Sequence, residues 1–394
     1  MRLLTVVTVV LTGVAALAGL PGIATAGNTF APQQVITGLH DPYSLSGQDL
    51  NGDGLGDIAV VDQATRQFVR YLSLPGGGFG LPQSYYVGYS DPVGIVSADM
   101  NGDHIADVAV CWVPSYVAIF PGLGSGNFGT PTNYNVGYAP YRILASDMNK
   151  DGRMDLVTTN HEGSNVTMLR QMENGSFSRS DYSVGSAPWN LASADFNRDG
   201  RPDLVVTNES SSFLTILYGQ SDGSLGNRLD LNVGYNGFLG VAAAEFNGDG
   251  LADIAAANEF MNMIDVRYGL PGGGFGNGKT FSTGSVRPND LEMADFNGDG
   301  LMDLATTLGG ETSTQVGVLY GLPGGNFSAA DAYEVGRYPV RLVSGDFNGD
   351  GRADLAVSNY SSDTISVLYN ITPEPASMFL LALGGLAVVR RRRR

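Results

Sequence analysis

The sequence predicts an all-β fold, a seven-bladed β-propeller with four-stranded blades. Three observations lead to this fold. An acidic nonapeptide recurs seven times, with successive copies 48 to 51 residues apart. Short runs of β-branched and aromatic residues lie between Gly, Asn, Asp and Pro, without long helix-forming stretches. The last unit lacks a fourth strand, while an unmatched strand candidate at 33–37 precedes the first unit.

The nonapeptide defines the repeat. Its copies are DLNGDGLGD at 49–57, DMNGDHIAD at 99–107, DMNKDGRMD at 147–155, DFNRDGRPD at 195–203, EFNGDGLAD at 245–253, DFNGDGLMD at 295–303 and DFNGDGRAD at 346–354. An apolar strand follows each copy, then a second β-rich run. A single four-stranded sheet cannot bury both faces, whereas neighbouring blades cover each other. We expect the strand at 33–37 to complete the seventh blade and close the ring, which removes an exposed sheet edge.

The acidic composition limits the kinds of molecule that the protein is expected to bind. The chain has 394 residues, 55 of them glycine, and a formal net charge of −17. The five arginines at 390–394 offset part of this charge, so the rest of the chain is more acidic still. An acidic surface argues against nucleic acid and anionic lipid as partners, and it suits cations.

Residues 1–26 have the pattern of a secretory signal peptide. Arg2 precedes an apolar stretch at 3–20, and Ala24-Thr25-Ala26 fits the small-x-small cleavage rule. We therefore expect signal peptidase to act during export and residues 27–371 to form the propeller. An uncleaved membrane anchor is the alternative.

Residues 372–394 form a second processing segment. Pro373-Glu374-Pro375 is followed by an apolar run at 376–389 and then by five arginines. The apolar run is shorter than the roughly 20 residues that span a bilayer. This order resembles the PEP-CTERM sorting signal of Gram-negative bacteria. The resemblance implies recognition and removal by an exosortase, transient membrane contact, and delivery to the cell surface or extracellular matrix. A simple tail anchor is the alternative.

The acidic loops have the pattern D-x-N-x-D-G-x-x-D, which suits Ca²⁺. This cation takes six to eight oxygen ligands. Side chains at positions 1, 3 and 5 point into a tight turn, glycine at position 6 allows the reversal, and the carbonyl at position 7 and the aspartate at position 9 complete the shell. We expect up to seven Ca²⁺ ions, one per loop. The candidate ligands are Asp49, Asn51, Asp53, Asp57, Asp99, Asn101, Asp103, Asp107, Asp147, Asn149, Asp151, Asp155, Asp195, Asn197, Asp199, Asp203, Glu245, Asn247, Asp249, Asp253, Asp295, Asn297, Asp299, Asp303, Asp346, Asn348, Asp350 and Asp354.

An EF-hand or dockerin loop begins in the same way but needs an acid at position 12 and flanking helices. Here position 12 is Val, Thr or Ala in every loop, and the flanks are strands. Over residues 33–370 the pattern instead resembles the FG-GAP/VCBS repeats of integrin α-subunit propellers and of many bacterial surface proteins. A structural Asx turn without metal is the alternative.

The loops are not identical. Glu245 replaces Asp at position 1 of the fifth loop, and His104 replaces the glycine of the second, which predicts a weaker site there. We also expect nearby cations to weaken their loops; these are Lys150, Arg153, Arg198, Arg201 and Arg352. Ca²⁺ bound only by the folded form is expected to raise the melting temperature, and EGTA to lower it.

No nucleophile elbow, zinc-protease motif or phosphate loop occurs, so the sequence does not identify an enzyme. Three function classes stay open. The first is an exported binding or adhesion module for a glycan or extracellular polymer, with Trp189 and exposed tyrosines as stacking candidates. The second is a calcium-dependent polysaccharide lyase or other glycan-active enzyme. The third is a structural matrix protein.

Overall fold

The computed structural model describes residues 29–88, 90–284 and 287–372. The expected signal peptide at 1–26 and the sorting segment beyond Thr372 lie outside these residues. The described chain consists of β-strands, with one turn of 3-10 helix at Tyr360–Ser362. None of its helices is long and apolar enough to cross a lipid bilayer.

Seven four-stranded antiparallel sheets follow one another along the chain, which confirms the predicted fold class. The first blade contains β2–β5 (Pro42–Ser46, Ile58–Asp62, Gln67–Tyr71, Gln83–Tyr86), and the second contains β6–β9 (Pro92–Ala98, Asp107–Trp112, Tyr116–Phe120, Thr132–Asn135). The third blade contains β10–β13 (Pro140–Ser146, Asp155–Asn160, Asn165–Gln171, Phe177–Ser183), and the fourth contains β14–β17 (Pro188–Ala194, Asp203–Asn208, Phe213–Gly219, Leu225–Asn232). The fifth blade contains β18, β19, β20 and β23 (Phe238–Ala244, Asp253–Asn258, Met263–Arg267, Lys279–Ser282), and the sixth contains β24, β25, β26 and β29 (Arg287–Ala294, Asp303–Gly309, Gln315–Leu319, Asp331–Glu334). The seventh blade contains β30–β32 (Pro339–Gly345, Asp354–Asn359, Thr364–Leu368) and β1 (Gln34–Ile36). Two short hairpins complete the set, β21–β22 (Gly269–Leu270, Gly274–Phe275) and β27–β28 (Gly321–Leu322, Asn326–Phe327).

Burial follows the position of each strand in its blade. The second strand of every blade, such as β3 or β31, is buried along its whole length. These strands have an adjacent blade on each face, which is why they are rich in Val, Ile, Leu and Ala. The fourth strands, such as β5 and β29, are largely exposed and polar.

The apolar core is divided among the contacts between blades. The described residues form seven apolar clusters, each at the boundary of two adjacent blades. Val61 of the first blade packs in one cluster with Val110 of the second. Val60 of the first blade packs in another with Ala356 and Val367 of the seventh. The first and last blades are therefore in apolar contact.

The N-terminal strand belongs to the last blade. β1 pairs antiparallel with β32, with Gln34 opposite Val367 and Ile36 opposite Ile365. Ile36 is 9% exposed and lies in the cluster shared by the seventh and first blades. The two ends of the described chain are thus held in one sheet.

The first strands of the blades are β2, β6, β10, β14, β18, β24 and β30, and each contacts the first strands of both neighbouring blades. These strands therefore surround the central axis. Each acidic loop follows the end of such a strand, so the seven loops lie on one face of the ring, which we term the loop face. The prolines that begin most of these strands lie toward the opposite face.

Candidate metal centre

Each acidic loop connects the first and second strands of its blade. In the sixth blade the loop leaves β24 after Ala294 and enters β25 at Asp303. Both strands are held in the sheet, with Ala294 opposite Asp303. The loop is therefore a tight hairpin with fixed ends.

The side chains at positions 1, 3 and 5 fold over the interior of the hairpin. In the first loop, Asp49 accepts the N–H groups of Gly52 and Gly54 at 2.7 and 2.8 Å. Asn51 Oδ1 accepts the N–H of Asp53 at 2.8 Å, and the carboxylate at position 5 accepts the N–H two residues further on at 2.9 Å. The other loops bond the side chains at positions 3 and 5 in the same way. The side chains at positions 3 and 5 thus recur in one arrangement around the loop face. Position 1 accepts the N–H of position 6 in six loops, whereas Glu245 of the fifth loop accepts those of Asn247 and Gly248.

The aspartate at position 9 lies deeper than the other three. The seven residues are Asp57, Asp107, Asp155, Asp203, Asp253, Asp303 and Asp354, each at most 1% exposed. In the first loop its carboxylate accepts the N–H groups of Leu50 at 2.9 Å and Ser73 at 2.7 Å. All seven join the loop in this way to a residue at the end of the third strand or just after it. This side chain therefore has a structural role whether or not a metal binds.

Burial of the position-9 carboxyl raises its pKa, against the opposing effect of the two N–H groups. The pKa is raised to about 6 in the first five loops and to about 7 for Asp303 and Asp354. The carboxylates at positions 1 and 5 raise it further by repulsion. The protein buries this acid beside other acids, an electrostatic setting that a bound cation would relieve.

The backbone turns twice in each loop. Position 6 has positive φ, as expected, and so does position 4, which the sequence analysis did not anticipate. His104 adopts φ 65° at position 6, while Lys150 and Arg198 adopt 58° and 60° at position 4. Left-handed conformations are unfavourable for side chains of this type, so the hydrogen bonds of the loop hold these residues in strained positions.

The basic residues of the loops make two kinds of contact. Arg153, Arg201 and Arg352 each donate from Nη2 to the position-5 carboxylate of their own loop. Arg198 reaches the following loop, where its Nε donates to Gly250 O at 3.2 Å. The Nδ1 of His104 lies 3.7 Å from Asp99 Oδ2. The third, fourth and seventh loops therefore neutralise one carboxylate internally.

Within residues 29–88, 90–284 and 287–372, no three His, Cys, Asp or Glu side chains are grouped so that they could hold a metal ion. The carboxylates are turned toward backbone N–H groups instead. Their donor atoms are all oxygen, which fits a hard cation such as Ca²⁺. Binding would require the side chains at positions 1, 3 and 5 to exchange N–H partners for the ion.

The sequence analysis missed a set of charged residues near the central axis. Arg142, Asp290 and Arg341 each stand two positions after the proline at or next to the start of a first strand. The equivalent residues of the other blades are Ser44, Gly94, Asn190 and Gly240. Arg142 Nη2 donates to Asp290 Oδ1 at 2.8 Å, joining the third and sixth blades. These three residues could have been found in the sequence, because they are charged at a repeat position where the other blades have a small or polar residue.

Glu292 gives this region a pH dependence. Burial raises its pKa to about 7, with Asp290 adding to the rise, although Ser344 donates to it at 2.9 Å. The folded state therefore holds the proton more tightly than the unfolded state, and stability falls as the pH rises from about 4.5 to 7. We expect Glu292→Gln to raise the melting temperature at pH 8 and to change it little at pH 5. Glu334→Gln, on an exposed strand, is the control, and equal shifts at both pH values would contradict this assignment.

Solved structures with similar folds cover most of the chain. BBS1N in complex with ARL6DN superposes with a TM-score of 0.62 at 14% identity, covering 88% of this chain and 98% of that one. A protein from Lactobacillus plantarum gives 0.57 at 14% identity, covering 75% and 86%. An Agrocybe aegerita lectin that recognises non-reducing terminal N-acetylglucosamine gives 0.51 at 19% identity, covering 79% and 92%. At these identities the likeness shows the fold alone. No curated protein matches the chain.

Two family models match the sequence. A PEP-CTERM protein-sorting motif matches residues 372–394 and points to export and exosortase-mediated processing at the envelope of a Gram-negative bacterium. The FG-GAP-like repeat matches residues 27–110, 147–206, 195–256, 246–306 and 295–357. Both resemblances inferred from the sequence are thereby confirmed. With most of its length matched and seven four-stranded blades, the chain belongs to the FG-GAP-like repeat family.

Proposed function

We propose that this exported propeller binds Ca²⁺ in its acidic loops and acts at the cell surface or in the extracellular matrix as a binding or adhesion module. The observation that carries the calcium proposal is the presence of oxygen-bearing side chains at positions 1, 3 and 5 of all seven loops, with the position-3 side chain hydrogen-bonded in the same way in each. The buried acid at position 9 supports it, since a cation would offset the repulsion described above.

The residues that would hold the ion are those at positions 1, 3, 5 and 9 of each loop, with the carbonyl at position 7. In the sixth loop these side chains belong to Asp295, Asn297, Asp299 and Asp303. Bound Ca²⁺ would supply positive charge that holds the hairpin and, through position 9, the third strand of the blade. Its proposed role is structural.

The loops are expected to differ in affinity. Where Arg already bonds to the position-5 carboxylate, Ca²⁺ must displace the guanidinium and tolerate its charge nearby. We expect Arg201→Leu to strengthen calcium binding at the fourth loop by about fivefold, and Leu301→Arg to weaken the sixth loop to a similar extent. Calorimetric titration of the two variants beside the wild type measures this difference. Unchanged affinities in both variants would show that the Arg contacts do not affect the metal.

The proposed ligand class is a glycan or extracellular polymer. The sorting motif supports delivery to the envelope, where such polymers occur. The Agrocybe aegerita lectin shows that a similar fold can recognise a sugar. A glycan array probed with and without Ca²⁺ tests the proposal, and selective binding is the expected result. Release of unsaturated oligosaccharides from a polymer would show that the protein is a lyase and not a binding module. No glycan binding at all would favour a structural matrix protein.

A further inference from the structure

Arg341 is a buried cation that forms no ion pair or hydrogen bond with a carboxylate among the described residues. Its side chain is among the largest fully buried ones, and the residue is 1% exposed. Neither Nε nor Nη2 has a hydrogen-bond partner among the described residues. Nη1 reaches only the carbonyl of Val340, at 3.5 Å. Burying a charged group without such partners is costly, so its retention calls for an explanation.

The nearby carboxylate, Asp290, is already engaged. Its Oδ1 accepts Arg142 Nη2 at 2.8 Å and Asn190 Nδ2 at 3.1 Å. Its Oδ2 accepts the N–H of Leu342 at 3.3 Å. Asp290 thus lies beside the partly buried guanidinium of Arg142, to which it is hydrogen-bonded, and the fully buried guanidinium of Arg341, to which it is not. Arg341 therefore makes no hydrogen bond to a carboxylate among the described residues.

Three aromatic rings surround this guanidinium. Its Cζ lies 5.4 Å from the ring centre of Tyr43, 5.6 Å from Tyr141 and 5.9 Å from Trp189. Aromatic faces stabilise a desolvated cation, but they accept none of its N–H bonds in plane. The indole Nε1 of Trp189 is also buried without a partner among the described residues. The cluster therefore holds three donor nitrogens without a partner among the described residues.

The aromatic residues continue toward the face opposite the loop face. Tyr360 lies 6.2 Å from Tyr43 and 5.9 Å from Tyr338, ring centre to ring centre, and these rings are partly exposed. His161 lies 5.7 Å from Trp189 and its Nε2 is 3.1 Å from Glu209. Acceptor groups thus lie at the edge of the aromatic cluster, while the unmet donors lie at its base.

We propose that this cluster is a binding site for an acidic sugar, with the sugar carboxylate on Arg341 and the pyranose ring against the aromatic faces. A planar guanidinium matches a carboxylate in two parallel hydrogen bonds, and Glu209 can accept bonds from sugar hydroxyls. Because Arg341 is 1% exposed, sugar binding requires the rings of Tyr43 and Trp189 to turn aside. This inference names a ligand class for the binding function proposed above and rests on it, but it uses a site remote from the calcium loops.

Fluorescence of Trp189 reports on the site directly. The chain has two tryptophans, so Trp112→Phe leaves Trp189 as the one tryptophan, and excitation at the red edge of its absorption avoids the tyrosines. The purified protein is titrated with D-glucuronate and, separately, with D-glucose at the same concentrations. We expect a saturable change with glucuronate alone. Arg341→Gln is expected to weaken binding by about tenfold or more, because a charge-assisted pair is lost. Arg179→Gln, whose guanidinium pairs with Asp181 on an outer strand, is the matched control and should bind as the parent does.

Circular dichroism and the melting temperature check that Arg341→Gln is folded. Because this substitution removes an unpaired buried charge, it should not lower the melting temperature. An equal response to glucose, or unchanged glucuronate binding in Arg341→Gln, would overturn the site. Titrations run in Ca²⁺ and in EGTA separate the two proposals. Glucuronate binding by a protein that takes up no calcium overturns the metal proposal alone, and calcium uptake without glucuronate binding overturns this one alone.

Discussion

Ile36→Asp is expected to lower the free energy of unfolding by about 4 kcal/mol, because it places an unpaired charge in an apolar contact. Ile36 lies on β1, the strand that the N-terminus contributes to the seventh blade, in the cluster shared with the first blade. The change also weakens the pairing of β1 with β32, which exposes a sheet edge able to pair with another molecule. Thermal unfolding and size-exclusion chromatography measure the two effects.

Val35→Asp is the matched control. Val35 is on the same strand but 47% exposed, so its replacement keeps the pairing and the core contact. We expect a change within about 0.5 kcal/mol. Similar losses in both variants would show that the strand is not specifically anchored. A negligible loss in Ile36→Asp would show that the ring is stable without it.

Asp303→Ala is expected to cost about 3–5 kcal/mol even in calcium-free buffer, because three backbone N–H groups lose their acceptor. These belong to Phe296 at 2.8 Å, Asn297 at 3.2 Å and Gly321 at 2.7 Å. Measurement at pH 6 keeps much of the carboxyl protonated, since burial raises its pKa to about 7. The loss then reports on hydrogen bonding more than on buried charge.

Asp299→Ala separates structure from metal binding in the same loop. Asp299 is exposed and accepts the N–H of Leu301 at 2.9 Å. In calcium-free buffer we expect a loss within about 1 kcal/mol, and in Ca²⁺ a larger loss as one ion is no longer held. Equal effects of the two substitutions without calcium would contradict the structural role assigned to position 9.

The architecture could be predicted from the sequence because each blade repeats the same sequence pattern. The nonapeptide sets the loop, and the apolar run after it, such as Ile58 to Val60, is long enough for one buried strand only. The strand candidate at 33–37 stood out because the last unit was one strand short. These signals are local or periodic, so they can be recognised in the sequence without knowing which residues are in contact.

The side-chain contacts near the axis could not be read in this way. Arg142 and Asp290 are 148 residues apart and meet only because the ring brings the third and sixth blades together. In the sequence, Arg341 differs from a surface arginine only in its repeat position, which holds a small or polar residue in four other blades. Likewise, the position-9 aspartate was assigned to a metal shell, while its bonds to Leu50 and Ser73 depend on the packing of the third strand.

Calorimetric titration of Ca²⁺ into the chelator-treated protein, with melting temperatures in Ca²⁺ and in EGTA, tests the proposal that the acidic loops take up calcium. We predict saturable uptake of several ions, strongest in loops without an internal Arg, and a higher melting temperature with calcium. No heat of binding together with equal melting temperatures would contradict it and leave the loops as hydrogen-bonded turns.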